Sequence, residues 1–284
     1  MSSLATRRQW FTRSSLVLGL VFMYVPIVSM MIFSFNNSRL VTVWHSAHSP
    51  TVRWYVELFS NTQILDAAWL SIRIAATAAT LAAILGTAAG VALARYGPFR
   101  GRTLIAAMTT APLVMPEVIS GLSLLLLFVT LEQLTGWPQG RGFVTITIAH
   151  ITFTMAYVTV VVQSRLAGFD TSMEEAAMDL GARPAKVFFR ITLPLVTPAV
   201  ISGWLLAFTL SWDDLVVTQF VAGPGASTLP MVIFSKVRLG VSPDVNALAT
   251  ILVLIVATGV IAASVLVRIR ENRRARDIQA AAAG

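Results

Sequence analysis

Six stretches of this chain are long and apolar enough to cross a bilayer as helices, at residues 14–35, 74–94, 103–131, 142–163, 193–215 and 245–267. Each reaches the roughly 17–25 residues that a hydrocarbon core of about 30 Å requires. The expected fold class is therefore all-α: a polytopic membrane protein of six transmembrane helices, read as one transmembrane domain over 1–284. Composition agrees, with 56% hydrophobic and only 12% charged residues, which excludes an ordinary soluble domain. The chain has no cysteine, so disulfides, thiolate metal sites and a cysteine nucleophile are excluded too. The first run follows Arg7, Arg8 and Arg13 as a signal peptide would, but it is too long for one and no small-residue cleavage site follows, so it reads as a retained helix. Pro112 and Pro116 interrupt the third run, where a kink or a break with a re-entrant turn is expected.

The net charge of +8 comes from basic residues, nearly all Arg, clustered beside apolar runs. That pattern signals membrane orientation rather than nucleic-acid binding. Of the 21 Lys and Arg residues, fifteen lie on the N-terminus, the second and fourth connections and the basic tail at 268–284. The other six lie on the opposite connections, so both termini are expected in the cytoplasm. The first outer connection, about 36–73, carries Trp44, Trp54, Tyr55 and Trp69, as interfacial anchors or a helix lying on the surface. Gly223-Pro224-Gly225 and Leu229-Pro230 mark turns in the last outer connection. Neither a solenoid repeat nor an inverted repeat of the halves is evident.

Residues 164–192 form the one long cytoplasmic connection and read as two short helices. Ser172 to Glu175 has the form of a capping box. Met173, Ala176, Ala177 and Leu180 then share one apolar face, Gly181 supplies the stop, and Pro184 opens a second helix. Helices this short are unstable alone. Their apolar stripes need the protein's own helix ends, lipid or another protein.

Acidic residues in or near spans cost about 2.5 to 3.5 kcal/mol at a helix centre and are functional candidates. Glu117, Asp213 and Asp214 stand out. At about 1.5 Å per residue, Glu117 lies about 21 Å up from Thr103 and Asp213 about 30 Å up from Leu193, both in the outer half. No Lys or Arg lies within the third or fifth run, so an incoming cation is an economical partner. The competing roles are water contact at the outer mouth, capping of the next segment, and, for Glu117, a bond to backbone freed by the prolines. Trp54 either stacks against a cation or anchors the interface. His150 reads as a satisfied packing residue, and His45 with His48 lacks a third ligand, so no metal is expected.

Glu175-Ala176-Ala177, three residues, Gly181, nine residues and Ile191-x-Leu193-Pro194 together resemble the signature of the membrane subunits of bacterial ABC importers. Ser34-Phe35-Asn36-Asn37-Ser38-Arg39, Arg53-Trp54-Tyr55, Ala111 to Glu117, Ser202-Gly203-Trp204, Asp213-Asp214-Leu215, Gly223-Pro224-Gly225 and Val245 to Thr250 are similar to the polyamine branch of that family, above all to the second permease subunit of putrescine importers. The resemblance implies a type I ABC importer permease fold and the import of putrescine or a related polyamine. It implies that Glu175, Ala176, Ala177 and Gly181 belong to a coupling helix that contacts a cytoplasmic ATPase. It also implies a second permease, an ATPase dimer that binds ATP and Mg, and a periplasmic polyamine-binding protein. The chain has no G-x-x-x-x-G-K-[ST] loop, so it is not expected to be an enzyme or to hold a cofactor. The resemblance leads one to expect Asp where Glu117 stands, and His45 and His48 fall in a stretch where members of the family are expected to differ, which leaves the preference among polyamines open. Two rival readings are a proton-coupled secondary transporter with the three carboxylates as a relay, and a permease that acts as scaffold for its partner.

Overall fold

The structure, a computed structural model, describes residues 2–38, 44–45, 49–240 and 243–283; Arg39 and His48 fall outside them. The described residues form helices in the order α1 (Ser2–Phe33), α2 (Arg53–Ser60), α3 (Thr62–Arg95), α4 (Arg102–Val114), α5 (Glu117–Thr135), α6 (Phe143–Ala167), α7 (Ser172–Asp179) and α8 (Pro184–Val187). A π-helical turn, Phe188–Thr192, leads into α9 (Leu193–Trp212), followed by α10 (Val216–Val221), α11 (Leu229–Leu239) and α12 (Pro243–Ala283). Six helical segments are long and apolar enough to span a membrane: Trp10–Phe33, Thr62–Arg95, Glu117–Thr135, Phe143–Ala167, Pro184–Trp212 and Pro243–Ala262. The chain divides into two compact units, one of Met1–Thr62 with Ser235–Gly284 and one of Gln63–Phe234.

Several boundaries differ from those expected of the sequence. Helix α3 begins at Thr62, so Trp69 and Arg73 belong to a helix rather than to the outer connection. Gln63, Asp66 and Arg73 lower the hydropathy of its first turns without interrupting the helix. The long third run is two helices. Pro112 sits within the last turn of α4, while Met115, held extended (φ −76°, ψ 135°) before Pro116, ends it. Leu229-Pro230 opens α11 rather than marking a turn, since proline suits a first helical turn. The second cytoplasmic helix is not separate either: α8 runs through the π turn into α9. Pro194 has no amide to give the Arg190 carbonyl, and the turn instead closes from the Leu193 amide to the Phe188 carbonyl, five residues back.

In the unit of residues 63–234, small residues let helices approach closely. Along α3, Ala75, Ala78, Ala79 and Ala82 are fully buried. A β-carbon at Gly86 would lie 2.7 Å from Val158 Cβ of α6, and one at Gly90 would lie 3.0 Å from the Thr159 carbonyl oxygen. Glycines four apart on one face bring backbones together where lipid offers no hydrophobic drive for association. Val158, Val162 and Leu166 of α6 join Val196 and Ala207 of α9 in this core. A second core joins Ile74, Phe128, Ile146, Ala149, Val217 and Val221 from α3, α5, α6 and α10.

In the other unit, α1 and α2 each pack on α12. The segments 34–36 and 53–55 are bonded together: Ser34 Oγ and Tyr55 OH lie 2.6 Å apart, and Trp54 Nε1 donates to the Asn36 carbonyl oxygen at 2.6 Å. The window of α1 that could span a membrane has no buried residue, so its apolar surface remains for lipid or another protein.

Candidate functional site

The break between α4 and α5 and the break between α9 and α10 open on one cavity of about 270 Å³. Glu117, Asp213 and Asp214 all line it, together with Phe153 and Tyr157, which stand one helical turn apart on α6. Glu117 and the aspartate pair, far apart in sequence, are thus brought to one space by two interrupted helices. Residues held at helix breaks are where a membrane protein can line a polar path without stranding backbone groups in lipid.

The three carboxylates differ in what they hold. Glu117 is exposed in the first turn of α5, whose amide end favours a negative side chain. Asp213 is exposed and ends α9. Among the described residues, neither has a basic side chain or another residue's hydrogen bond as partner. Asp214 is different, with a side chain only 6% exposed. One of its carboxylate oxygens accepts the Thr218 amide at 2.8 Å and the Thr218 hydroxyl at 2.6 Å, and the other accepts the Val217 amide at 3.3 Å. One residue ahead of the N-cap, Leu215, it thus takes two of the free amides that open α10. His150 Nε2 lies 3.3 Å from the same carboxylate, and His150 Nδ1 lies 2.6 Å from Ser211 Oγ. His150 is buried and satisfied, as the sequence suggests. Its role as the partner of Asp214 is not legible from a search for Lys and Arg counterions, because it rests on a histidine in another span.

Trp54 is 6% exposed, with its indole N–H held by Asn36 and the Arg53 guanidinium 5.3 Å from its ring centroid. The ring is occupied by these contacts within its own unit. His45 also belongs to no cluster of potential metal ligands among the described residues.

On the connection between α6 and α9, the expected capping box does not form. The Ser172 amide is taken by Asp170 Oδ1 at 3.1 Å, which moves the cap back to Thr171, whose hydroxyl donates to Glu175 at 2.8 Å. The stop is as expected, with Gly181 at φ +83° and open space around its α-carbon. Met173 and Leu180 are 59% and 89% exposed, and Glu175 and Ala176 are exposed beside them, so α7 presents an uncovered face. Ala177 is half-buried. Inward, Glu174, which no sequence motif sets apart from its neighbour, pairs with Arg95 at the end of α3 at 3.2 Å.

A family model described as "Binding-protein-dependent transport system inner membrane component" matches residues 86–276. The chain is 58% identical over 270 residues to the putrescine transport system permease protein PotI of Escherichia coli K12, covering 95% of each. It is 42% identical to the spermidine/putrescine transport system permease protein PotC of the same organism, covering 91% of this chain and 94% of that one. Among solved structures, a chain of a bacterial ABC transporter involved in the import of the acidic polysaccharide alginate superposes with a TM-score of 0.68 at 16% identity, covering 92% of this chain and 96% of that one. A second structure of the bacterial alginate transporter, in complex with a periplasmic protein bound to an alginate pentasaccharide, gives a TM-score of 0.67 at 14% identity. The fold is that of a type I ABC importer permease.

Proposed function

The chain belongs to the binding-protein-dependent transport system inner membrane component family, and from that premise we propose that it is the permease subunit of an ATP-driven importer that moves putrescine or a related polyamine from periplasm to cytoplasm. The observation that carries the substrate class is the pair Glu117 and Asp213, two carboxylates without a cationic partner on one cavity. A polyamine carries ammonium groups along a flexible methylene chain. Leaving water, each ammonium needs a replacement for its hydration, and a carboxylate supplies it. Phe153 and Tyr157 offer the methylenes apolar contact and the ammonium groups a π face. Binding must stay modest, because a site that held the cation tightly would not release it. Asp214, already occupied by Thr218 and His150, shapes the site rather than receiving substrate. The two permease relatives, named for putrescine and for spermidine with putrescine, support the same class.

In this reading the chain pairs with a second permease in the inner membrane, both termini cytoplasmic, and takes substrate from a periplasmic polyamine-binding protein. A cytoplasmic ATPase dimer, which binds ATP and Mg, receives the exposed face of α7 with Glu175 and Ala176 and the half-buried Ala177 at its edge, and Gly181 fixes the angle at which that helix is presented. ATP binding there moves α7 and switches the paired permeases between outward and inward access. The test is reconstitution. Proteoliposomes holding the full assembly should accumulate labelled putrescine only with ATP, and those holding this chain alone should not. Uptake by the chain alone, driven by a pH gradient, would overturn the proposal in favour of a secondary transporter.

A further inference from the structure

Glu174 holds three segments with one side chain. Its Oε2 lies 3.2 Å from Nε of Arg95, the last residue of α3, and its Oε1 accepts the hydroxyl of Thr192 at 2.8 Å. Thr192 is the last residue of the π turn from which α9 grows. The Arg95 and Glu174 side chains are only 14% and 12% exposed, so their attraction is screened far less than that of a surface pair. Neighbouring Glu175, about 100° round the helix, is exposed and bonds only within its own turn.

The ground beneath α7 is not tightly filled. A cavity of about 260 Å³ lies there, lined by Val91, Met178, Val187 and Phe188 as well as by Arg95, Glu174 and Thr192. The first turn of α7 is thus tied to the spanning helices by an ion pair and a hydrogen bond across partly open space, rather than by close apolar packing. Both tied helices lead to the carboxylate cavity. Helix α9 ends at Trp212, next to Asp213, and α3 lies backbone-close on α6, which carries Phe153 and Tyr157.

We propose that Glu174 is the residue through which movement of α7 reaches the spanning helices, pulling α3 through Arg95 and α9 through Thr192. This rests on reading α7 as the ATPase-docking helix. Glu175 then belongs to the outer, docking side of α7 and Glu174 to its inner, transmitting side. Thr192 sits at a π turn, the kind of irregularity that often marks a functional site within a helix.

The experiment compares wild type, Glu174→Gln, Arg95→Gln and the double variant in proteoliposomes of the full assembly, measuring putrescine taken up per ATP hydrolysed. Each single variant should keep hydrolysing ATP while uptake per ATP falls about tenfold, a size typical of a lost coupling between sites. The double variant should fall no further, since the first substitution already breaks the link. It also leaves no buried charge unpaired, so it decides the matter if either single variant fails to assemble. Uptake per ATP at the wild-type value in the assembled variants overturns the proposal, as does a parallel loss of hydrolysis and uptake. Wild-type liposomes without ATP-dependent uptake would instead overturn the proposed function itself, and this link with it.

Discussion

Replacing Asp214 by Ala should destabilise the protein, whereas the same change at Asp213, its sequence neighbour, should hardly do so. At Asp214 the carboxylate accepts the Thr218 amide at 2.8 Å, the Thr218 hydroxyl at 2.6 Å and the Val217 amide at 3.3 Å, and it faces His150 at 3.3 Å. The long Val217 contact adds little, and the Thr218 hydroxyl can turn toward His150, 3.0 Å away. That leaves the Thr218 amide stranded in a buried place, while His150 keeps the Ser211 and Thr218 hydroxyls. For one orphaned buried group, the loss is about 1–3 kcal/mol. Asp213, exposed and without a partner residue among those described, should change stability by no more than about 0.5 kcal/mol. The assay is thermal unfolding of the detergent-solubilised assembly followed by tryptophan fluorescence. The Asp214→Ala midpoint should fall by about 3–9 °C and the Asp213→Ala midpoint should stay within about 2 °C of wild type. Equal shifts for the two would refute the division of roles.

A β-carbon at Gly86 has no room against Val158 and the Met155 carbonyl, so Gly86→Val should cost about 1–3 kcal/mol and lower the yield of assembled complex, measured by copurification. Gly181→Val meets open space but a positive φ, so it should strain the end of α7 by about 1 kcal/mol or more and lower ATP-coupled uptake while the spanning helices remain inserted. The exposed pair Arg53–Glu57 lies one turn apart on α2, and Glu57→Gln should shift the midpoint by no more than the effect of about 0.5 kcal/mol. Hydrogen bonds from Ser172 hold the Asp170 carboxyl below its usual range. A lowered folded pKa stabilises the start of α7 above the unfolded value and loses that effect as pH falls through the folded one. Hydrogen exchange at the Ser172 amide should therefore quicken, beyond its intrinsic rate, only in acid below the ordinary carboxylate range.

The spans are legible in the sequence because a bilayer sets a length, and a long apolar run in a chain so poor in charge fits little else. Their ends are not, since Gln63, Asp66 and Arg73 are as compatible with the outer turns of α3 as with a loop. The break before Glu117 follows from proline chemistry, which restricts the residue ahead of Pro116. The three carboxylates are legible as costly residues. Their division is hidden, because Asp213 and Asp214 are chemically alike and only the turn into α10 decides which one takes its first amides. Glu174 is hidden for the same reason: two adjacent glutamates open α7, and only the position of Arg95, far earlier in the chain, separates the inward one from the outward one. The one signal in the sequence is a basic residue closing α3 beside a cytoplasmic helix that opens on acids.

On the proposed function, Glu117 and Asp213 take the ammonium groups of the passing substrate. Glu117→Gln with Asp213→Asn removes both charges with little change of shape and touches neither His150 nor Asp214. The decisive measurement is uptake of radiolabelled putrescine by the full assembly carrying this double variant, at matched expression and matched ATPase activity. Losing two carboxylate contacts to a dication, each worth about 1.5–3 kcal/mol, should cut uptake at least about tenfold. Uptake at the wild-type rate would overturn that role and leave the two carboxylates as groups of the outer rim.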